Sequence, residues 1–452
     1  MEKSIVKNPL SEKPVISLLL KFAMPSIFIL IINSLYNIID QFFIGNSVGY
    51  LGNGATNIIM PLSTMAGALS AMIGDGVSAF FNLYLGKGQK ERVSQGAMIS
   101  LVCAVITSSV FAVIALLFLE QLCRVFGASD VLLPYCTNYG KYIVMGYPFI
   151  ITASVLSSLI RSDGHPQYSM MTIVAGAIIN CMLDPLLIFT FDLGIAGAGL
   201  ATMISQIVSF FLTLSYVKKF QYCSLSFRNL KMDIRLLTEI LSLGLSSFIS
   251  QIAVTVVLVL CNNLFAIYGA LSPYGDVIPL TVFGIVTKIN SLIYSIAIGF
   301  ASGSQPVISF NYGANLMDRV KKVFQLSVLF STMVMLFATI LYQCFPEYLI
   351  KLFGDGDALY IEFAVKCFRI HLLFAATHGF VQCTSVMFQA IGKVKHAIFI
   401  SLSRQIIFFL PFVVILPYFF GVEGILLAGA SADILSFICC LGLCLILFRK
   451  LD

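Results

Sequence analysis

The chain has 452 residues, of which 59% are hydrophobic and only 11% are charged. Soluble domains contain about 25% charged residues, so this composition excludes an ordinary water-soluble protein. The formal net charge of +6 is compatible with an acidic partner such as a nucleic acid. The positions of the basic residues, described below, argue against that partner.

Apolar stretches long enough to cross a bilayer, about 20 residues each, recur along the whole chain. They predict twelve transmembrane segments, at 18–44, 54–82, 95–119, 137–160, 167–190, 194–217, 237–268, 277–308, 320–343, 362–388, 395–418 and 422–448. In lipid the backbone must satisfy its own hydrogen bonds, and these segments lack the apolar–polar alternation of barrel strands. The predicted fold class is therefore an all-α membrane protein with twelve transmembrane helices.

Basic residues concentrate in alternate connections between these segments, as in Lys87 to Arg92 and in Lys218-Lys219. This asymmetry is the positive-inside bias of membrane proteins. It predicts a multi-pass protein of the plasma or inner membrane with both termini in the cytoplasm, and the polar start of the chain predicts no cleavable signal peptide. The basic excess is explained by orientation, so no nucleic-acid partner is expected.

Short motifs of the first half return 227 positions later in the second half. Gly86, Arg92 and Val93 correspond to Gly313, Arg319 and Val320. Duplicated membrane units of this kind are common in secondary transporters. The repeat predicts two six-helix lobes related by a pseudo-two-fold axis, at 1–217 and 237–452, with a cytoplasmic linker at 218–236.

The first predicted helix carries a polar stripe within an otherwise apolar sequence. Asn33, Tyr36, Asn37 and Asp40 follow the i, i+3, i+4, i+7 spacing that places side chains on one helix face. Such a stripe is expected to face the bundle interior or a hydrated cavity, and an ionisable residue on it is a functional candidate. A second interpretation is open: Asp40 is hydrated near the outer end of the helix.

The fifth predicted helix carries Asn180 and Asp184 one turn apart, followed by Pro185. Proline removes a backbone donor and frees a carbonyl one turn earlier, so several oxygen atoms are expected to gather. In the sixth helix, Thr202 and Gln206 are also one turn apart. Oxygen groups of this kind suit a proton or a hard cation. The alternative is that Asp184 makes a structural bond to a neighbouring helix.

Only the first half carries these acids, since the counterpart of Asp184 is Pro411. In the second half, His371 and His378 could titrate near neutral pH or could be packing residues with satisfied hydrogen bonds. Lys288 and Arg404 could each pair with a substrate anion or extend toward a helix end, and we expect the second for Arg404. Asp75, Glu423 and Asp433 could line a transport path or cap helix ends, and both interpretations are open.

No catalytic constellation is visible: the chain lacks a nucleophile elbow, a Walker loop and a His/Glu zinc motif. We therefore expect a protein that is not an enzyme, that has no cofactor and that takes its energy from an ion gradient.

The motifs together resemble the multidrug and toxic compound extrusion (MATE) transporters, in particular their DinF-like or MepA-like branch. The likeness covers nearly the whole chain and rests on Pro25, Asn37-Ile-Ile-Asp40-Gln-Phe-Phe-Ile-Gly45, Asn180-Cys-Met-Leu-Asp184-Pro185, Gly194-Ile-Ala-Gly197-Ala-Gly-Leu-Ala-Thr202 and Gln305-Pro306 with Asn311-Tyr-Gly313.

The resemblance implies a cation site in the first lobe, formed by Asp40 and Asp184 with Asn180 and Thr202 alongside, for H⁺ or Na⁺. It also implies that Tyr36 lines the same chamber, and that Pro25 lies where the first helix bends on protonation. Another branch binds Na⁺ through carboxylates of the seventh and tenth helices. Here the seventh helix lacks a buried acid, so coupling is expected in the first lobe.

We therefore predict a cation-coupled antiporter that exports organic cations by alternating access, with Asn33, Asn37, Gln206 and Tyr36 in the substrate cavity. We expect a monomer surrounded by membrane lipid. Two other classes of protein are open. A flippase of the same superfamily would need a basic cavity to hold a diphosphate. A membrane-embedded enzyme would need an acid/base pair or a set of metal ligands.

Overall fold

The computed structural model describes residues 8–225, 233–275, 277–352 and 357–451, and every regular element within those ranges is helical. Eleven helices in them are long and apolar enough to cross a membrane. Nine of these precede the tenth predicted segment: α1 Val15–Val48, α2 Tyr50–Gly86, α3 Lys90–Leu117, α4 Leu133–Ser162, α5 Pro166–Pro185, α6 Gly194–Leu214, α7 Ile234–Ala270, α8 Val277–Gly313 and α9 Met317–Cys344. The all-α membrane class is confirmed.

The tenth predicted segment, 362–388, is divided rather than continuous. A helix at Ala358–Lys366 passes into a π-helix at Cys367–His371, and after an irregular turn the helix α10 runs from Thr377 to Ala390. In the turn, backbone N–H groups donate hydrogen bonds to the carbonyl oxygen three residues earlier, as Ala375 N does to Leu372 O at 3.2 Å. Neither Pro nor Gly lies between positions 367 and 376, so the apolar sequence predicts one helix where the structure has two.

The last two membrane-spanning helices complete the chain. Helix α11 spans Val394–Phe420 and contains a π-helical stretch at Ser403–Phe409, and α12 spans Val422–Leu451. A third π-helical stretch, Leu186–Thr190, follows Pro185 at the end of α5. Such π-helical turns widen a helix locally and occur often at functional sites.

The chain forms two compact units. The first unit contains residues 1–12, 28–251 and 309–314, and the second contains residues 13–27, 252–308 and 315–452. The first unit packs around buried side chains such as Ile59, Leu62 and Tyr147. The second packs around buried aromatic side chains that include Phe265, Tyr342 and Phe368. The predicted lobe limits at 217 and 237 stay a prediction, and the linker residues 226–232 lie outside the described ranges.

Equivalent residues of the repeat meet within the first unit. A Cβ atom added at Gly86 would overlap the carbonyl oxygen of Phe310, and one added at Gly313 would overlap that of Leu83. Leu83 and Phe310 are also 227 positions apart, so the contact is reciprocal. A reciprocal contact between equivalent positions is what a two-fold axis produces. This geometry agrees with the pseudo-two-fold relation that the sequence repeat predicts.

The first part of the predicted linker is fixed by a buried carboxylate in the loop between α4 and α5. Asp163 accepts hydrogen bonds from Gln221 N at 3.0 Å, Tyr222 N at 2.9 Å and the Tyr216 hydroxyl at 3.0 Å. Burial raises the pKa of Asp163, and these three bonds oppose the rise because they favour the ionised form. The start of the linker is thereby attached to the first unit.

Candidate functional site

A cavity of about 240 Å³ lies within the first unit, between α1, α2, α4 and α6. Its lining is polar on the side of α1, where Tyr36, Asn37 and Asp40 face it. The other lining residues come from the remaining three helices: Ser63, Ala66, Gly67, Ser70, Tyr139, Ile143, Tyr147, Ile150, Ile151, Ser154, Thr202 and Gln206. None of these described lining residues is Lys, Arg or His, so Asp40 gives the cavity a negative potential whenever it is ionised.

The structure brings Asp40 and Asp184 together. Asp40 is 6% exposed and Asp184 is fully buried, and the two carboxyl groups lie close enough for the charge of one to affect the other. Two carboxyl groups can share a hydrogen bond only when one of them carries a proton. Asp40 Oδ1 has no hydrogen-bond partner within the described part of the chain. The pair can therefore take up and release a proton, or offer oxygen atoms to a cation.

Asn180 and Thr202 hold Asp184 in place. With the amide oriented to satisfy both of its ends, Asn180 Nδ2 donates to Asp184 Oδ2 at 3.2 Å. The amide oxygen then accepts from the backbone N and the Oγ1 of Thr202, both at 3.3 Å. The i, i+4 spacing on α5 places Asn180 and Asp184 on one buried face, and Pro185 ends the α-helical pattern directly after them.

The polar residues predicted on α1 are divided between the cavity and the helix surface. Tyr36 lines the cavity together with Thr202. Asn37 also lines it, although its Nδ2 donates back to Asn33 O at 2.6 Å. Asn33 is exposed and is not among the residues that line this 240 Å³ cavity, so its place at the substrate stays a prediction. The part of the polar stripe that lines this cavity therefore begins at Tyr36.

Gln206 lies on the cavity wall, and its Oε1 is buried without a hydrogen-bond partner among the described residues. Gly146 on α4 provides the space for it, because a Cβ atom at that position would overlap Gln206 Oε1. An unsatisfied buried acceptor is costly, so it marks a place where a ligand or water can donate a bond.

Sequence reasoning missed the aromatic wall of the cavity. Tyr139 and Tyr147 line it from α4, with the Tyr147 hydroxyl 3.2 Å from Ser63 Oγ and its ring stacked on Phe111. A signal was present: Tyr139, Ile143, Tyr147 and Ile151 recur every four residues along one face of α4. Tyrosine faces of this kind accommodate flat apolar groups and attract cations.

Pro25 and the two candidate histidines belong to the second unit. Pro25 lies inside α1, which continues past it without interruption. His378 Nε2 lies 2.7 Å from Asp433 Oδ2 and 3.1 Å from Arg404 Nη2. His371 is mostly buried, packs edge-on against Phe283, and has no partner for its Nδ1 within the described part of the chain.

A second polar cluster missed by sequence reasoning thus lies in the second unit. Arg404 Nε donates to Asp433 Oδ1 at 2.6 Å, and the Asp433 side chain is 1% exposed. The expectation that Arg404 extends toward a helix end is wrong, because this ion pair holds its guanidinium inside the unit. Asp433 lies 227 positions after Gln206, so the repeat could have connected it with the cavity-lining position of the first half.

The remaining charged candidates lie apart from these two clusters. In the first unit, Ser247 Oγ donates to the half-buried Asp75 Oδ2 at 2.8 Å. In the second unit, Glu423 accepts a bond from Lys366 Nζ at 2.7 Å, whereas Lys288 is exposed. None of the three lines the 240 Å³ cavity.

The residues at the carboxyl pair fit a hard cation or a proton better than a transition metal. No group of three or more His, Cys, Asp or Glu side chains gathers within the described ranges. The donors at the pair are carboxylate, amide and hydroxyl oxygens, which suit H⁺ or Na⁺ and not a soft metal.

A sequence profile and several known proteins match this chain over most of its length. The MatE family profile matches residues 25–186 and 247–415. Multidrug export protein MepA of Staphylococcus aureus (strain MRSA252) is 23% identical over 442 residues, which cover 98% of this chain and 95% of that protein.

Two solved structures share the fold, each with a TM-score of 0.91. One is an outward-facing multidrug resistance MATE family transporter of the MOP superfamily, 22% identical over 100% of this chain and 99% of the other. The other is a MOP superfamily transporter from Pyrococcus furiosus Vc1, 21% identical over 99% of both chains, whose binding pocket of reverse polarity suggests a different function for that protein.

The fold and the family match are those of a polytopic helical transporter, and the protein is not an enzyme. The chain belongs to the MatE family, the family of MATE transporters. The expected family is confirmed.

Proposed function

We propose that this protein exports organic cations across the membrane in exchange for H⁺ or Na⁺. The observation that supports this is the buried carboxyl pair of Asp40 and Asp184, of which Asp40 lines a cavity without basic lining residues. The name of the MepA relative, a multidrug export protein, supports small-molecule drugs as substrates.

The exchange follows from charge. When a proton or a cation is bound at the pair, the cavity loses its negative potential and a cationic substrate is released. When the pair gives up its ion, Asp40 again attracts an organic cation, which the rings of Tyr36, Tyr139 and Tyr147 can contact. The coupling ion and the substrate thus compete for one negative charge, which is the condition for antiport.

The site residues take separate roles in this proposal. Asp40 and Asp184 bind the coupling ion, Asn180 and Thr202 position Asp184, and Gln206 donates or accepts a bond at the substrate. The protein acts as a monomer in the plasma or inner membrane with both termini in the cytoplasm, as the distribution of basic residues predicts. Pro25 permits α1 to bend between states, because its missing N–H weakens the helix there.

The alternative of a flippase for a lipid-linked oligosaccharide finds no support in this cavity. A diphosphate would need basic side chains, and the described lining residues include none.

The test is ethidium efflux from cells that express the protein at matched levels, with Na⁺ present or absent and with the external pH varied. We expect wild type to export ethidium and Asp184→Asn and Asp40→Asn to reduce export at least tenfold, because the amide can neither ionise nor release a proton. Dependence on Na⁺ or on pH identifies the coupling ion.

Asp192→Asn is the matched control, because Asp192 is an exposed residue eight positions after Asp184, with a φ of 53° that asparagine also adopts. Export by Asp192→Asn should equal that of wild type. Full ethidium export by Asp184→Asn and Asp40→Asn would contradict the proposal.

A further inference from the structure

We propose that the second unit binds the headgroup of an anionic phospholipid in a cavity between the first turns of α1 and α9. This inference is independent of the proposed transport function. The cavity has a volume of about 490 Å³, which is in the range of small-molecule sites, and it is separate from the 240 Å³ cavity of the first unit.

The lining divides into a charged part and an apolar part. The charged part is the first turns of α9, with Asp318, Arg319 and Lys322. The apolar part is formed by Pro14, Val15 and Ile16 at the start of α1, together with Leu326 one turn further along α9. A phospholipid has the same division, with an anionic headgroup above an apolar chain.

The position of the cavity along the helices agrees with this occupant. Val15 and Met317 are the first residues of two membrane-spanning helices, so the cavity lies where these helices enter the membrane. Ile16 is 47% exposed, which leaves an apolar surface beside the charged residues for the upper part of an acyl chain. Basic pockets between membrane helices at this depth are typical headgroup sites.

The basic side chains are placed to meet a phosphate. Arg319 Nη2 donates to the backbone oxygen of Lys13 at 2.7 Å, and this bond to a neutral acceptor fixes the guanidinium at the cavity. Lys322 is exposed and lines the same cavity. The carboxylate of Asp318 is an acceptor for headgroup hydroxyls, so a headgroup that carries both phosphate and hydroxyls, as in phosphatidylglycerol, fits all three.

The repeat provides an internal comparison for Arg319. Its counterpart in the first half, Arg92, lies in the first unit and donates through Nη1 to the Tyr84 hydroxyl at 3.2 Å, which in turn donates to Glu239 at 2.8 Å. Arg92 therefore joins side chains of one unit, whereas Arg319 lines a cavity of the second unit. A basic side chain on a cavity wall is placed to contact an anionic ligand in addition to its bonds within the chain.

The test is native mass spectrometry of the purified full-length protein, titrated with phosphatidylglycerol or phosphatidylcholine. We expect wild type to retain phosphatidylglycerol in preference to phosphatidylcholine. The double variant Arg319→Gln/Lys322→Gln should lose about 30-fold in affinity for phosphatidylglycerol, since each basic side chain contributes about 1 kcal/mol to binding an anionic lipid. Equal retention by wild type and this variant would overturn the proposal.

Two further variants separate the cavity from bulk charge. Lys90→Gln/Lys218→Gln removes the same net charge from exposed positions outside the cavity, and its affinity should stay within about threefold of wild type. Leu326→Trp fills the apolar part without changing charge and should also weaken retention. If Lys90→Gln/Lys218→Gln lost as much affinity for phosphatidylglycerol as Arg319→Gln/Lys322→Gln, the attraction would be non-specific and the proposal would be overturned. Wild-type affinity for phosphatidylglycerol in Leu326→Trp would overturn it as well.

A competition arm distinguishes a lipid from a free phosphate compound. Glycerol 1-phosphate added in about 100-fold excess should not displace phosphatidylglycerol, because it lacks the acyl chains that the apolar part contacts. Displacement by glycerol 1-phosphate would assign the cavity to a soluble anion instead and would contradict the lipid proposal.

Discussion

The two units each contain a buried polar cluster, and the clusters differ in how their negative charge is compensated. In the first unit, Asp40 and Asp184 face each other beside Asn180 and Thr202, and none of these four residues is basic. In the second unit, Asp433 is paired with Arg404 and hydrogen-bonded to His378. The first cluster lacks a cation of its own, whereas the second has one built into the chain.

This difference separates two uses of a buried carboxylate. A carboxylate with its own arginine remains ionised, because protonation would leave the buried guanidinium without a partner. Two carboxyl groups without a cation resist being ionised together and must take a proton or a cation from outside. The first cluster is therefore suited to exchange, and the second to holding α10, α11 and α12 together through His378, Arg404 and Asp433.

The largest expected effect comes from breaking the ion pair of the second unit. Arg404→Met should lower the free energy of unfolding by about 3–5 kcal/mol, because it leaves Asp433 buried and ionised without a cation. Denaturant unfolding in detergent micelles measures this. Adding Asp433→Asn to the same chain should recover most of the loss, since it removes the uncompensated charge.

That double variant is also the control for packing. If Arg404→Met/Asp433→Asn were as unstable as Arg404→Met alone, the loss would come from the missing side-chain volume and not from charge. An unchanged stability of Arg404→Met would mean that the ion pair does not hold the second unit together.

In the first unit, substitution of a buried charged residue is expected to increase the free energy of unfolding rather than lower it. Asp40→Asn removes one of two facing carboxyl groups, so it should raise the free energy of unfolding by about 1–2 kcal/mol at pH 8. The gain should shrink at pH 5, where protonation removes the like-charge repulsion in wild type. Thermal unfolding at both pH values measures it, with Asp192→Asn as the unchanged control. A large loss of stability at pH 8 would show that the negative charge of Asp40 is balanced by a partner, as Arg404 balances the charge of Asp433.

The fold was predictable because it depends on long-range composition. Apolar length predicts the helices, and the repeat predicts a pseudo-two-fold relation with which the reciprocal contact at Gly86 and Gly313 agrees. The divided tenth segment was not predictable, because the π-helix at Cys367–His371 and the following turn contain no proline or glycine. Hydropathy measures whether a segment prefers lipid, and it is insensitive to a change in helical hydrogen-bond spacing.

The candidate site was predictable where its residues follow helical spacing on one helix. Asn180 with Asp184, and Tyr36 with Asp40, were found in this way. The cluster of Arg404, Asp433 and His378 was not, since its members come from three helices and each is an isolated charge in sequence. Which isolated charges meet is decided by helix packing, and a single sequence does not specify that packing.

The smallest expected effect tests how Asp184 is held. Thr202→Val removes the Oγ1 bond to Asn180 but keeps the bond from the backbone N of Thr202, so one of two bonds to the amide oxygen survives. One lost neutral hydrogen bond costs about 1 kcal/mol, so ethidium export should fall by less than about tenfold and retain its dependence on the coupling ion. Efflux measured over a range of pH and Na⁺ concentration checks this. If Thr202→Val lost as much export as Asp184→Asn, the Thr202 hydroxyl would have to contact the coupling ion directly. A hydroxyl that only positions Asn180 would cost less, because the backbone N of Thr202 still bonds the Asn180 amide oxygen.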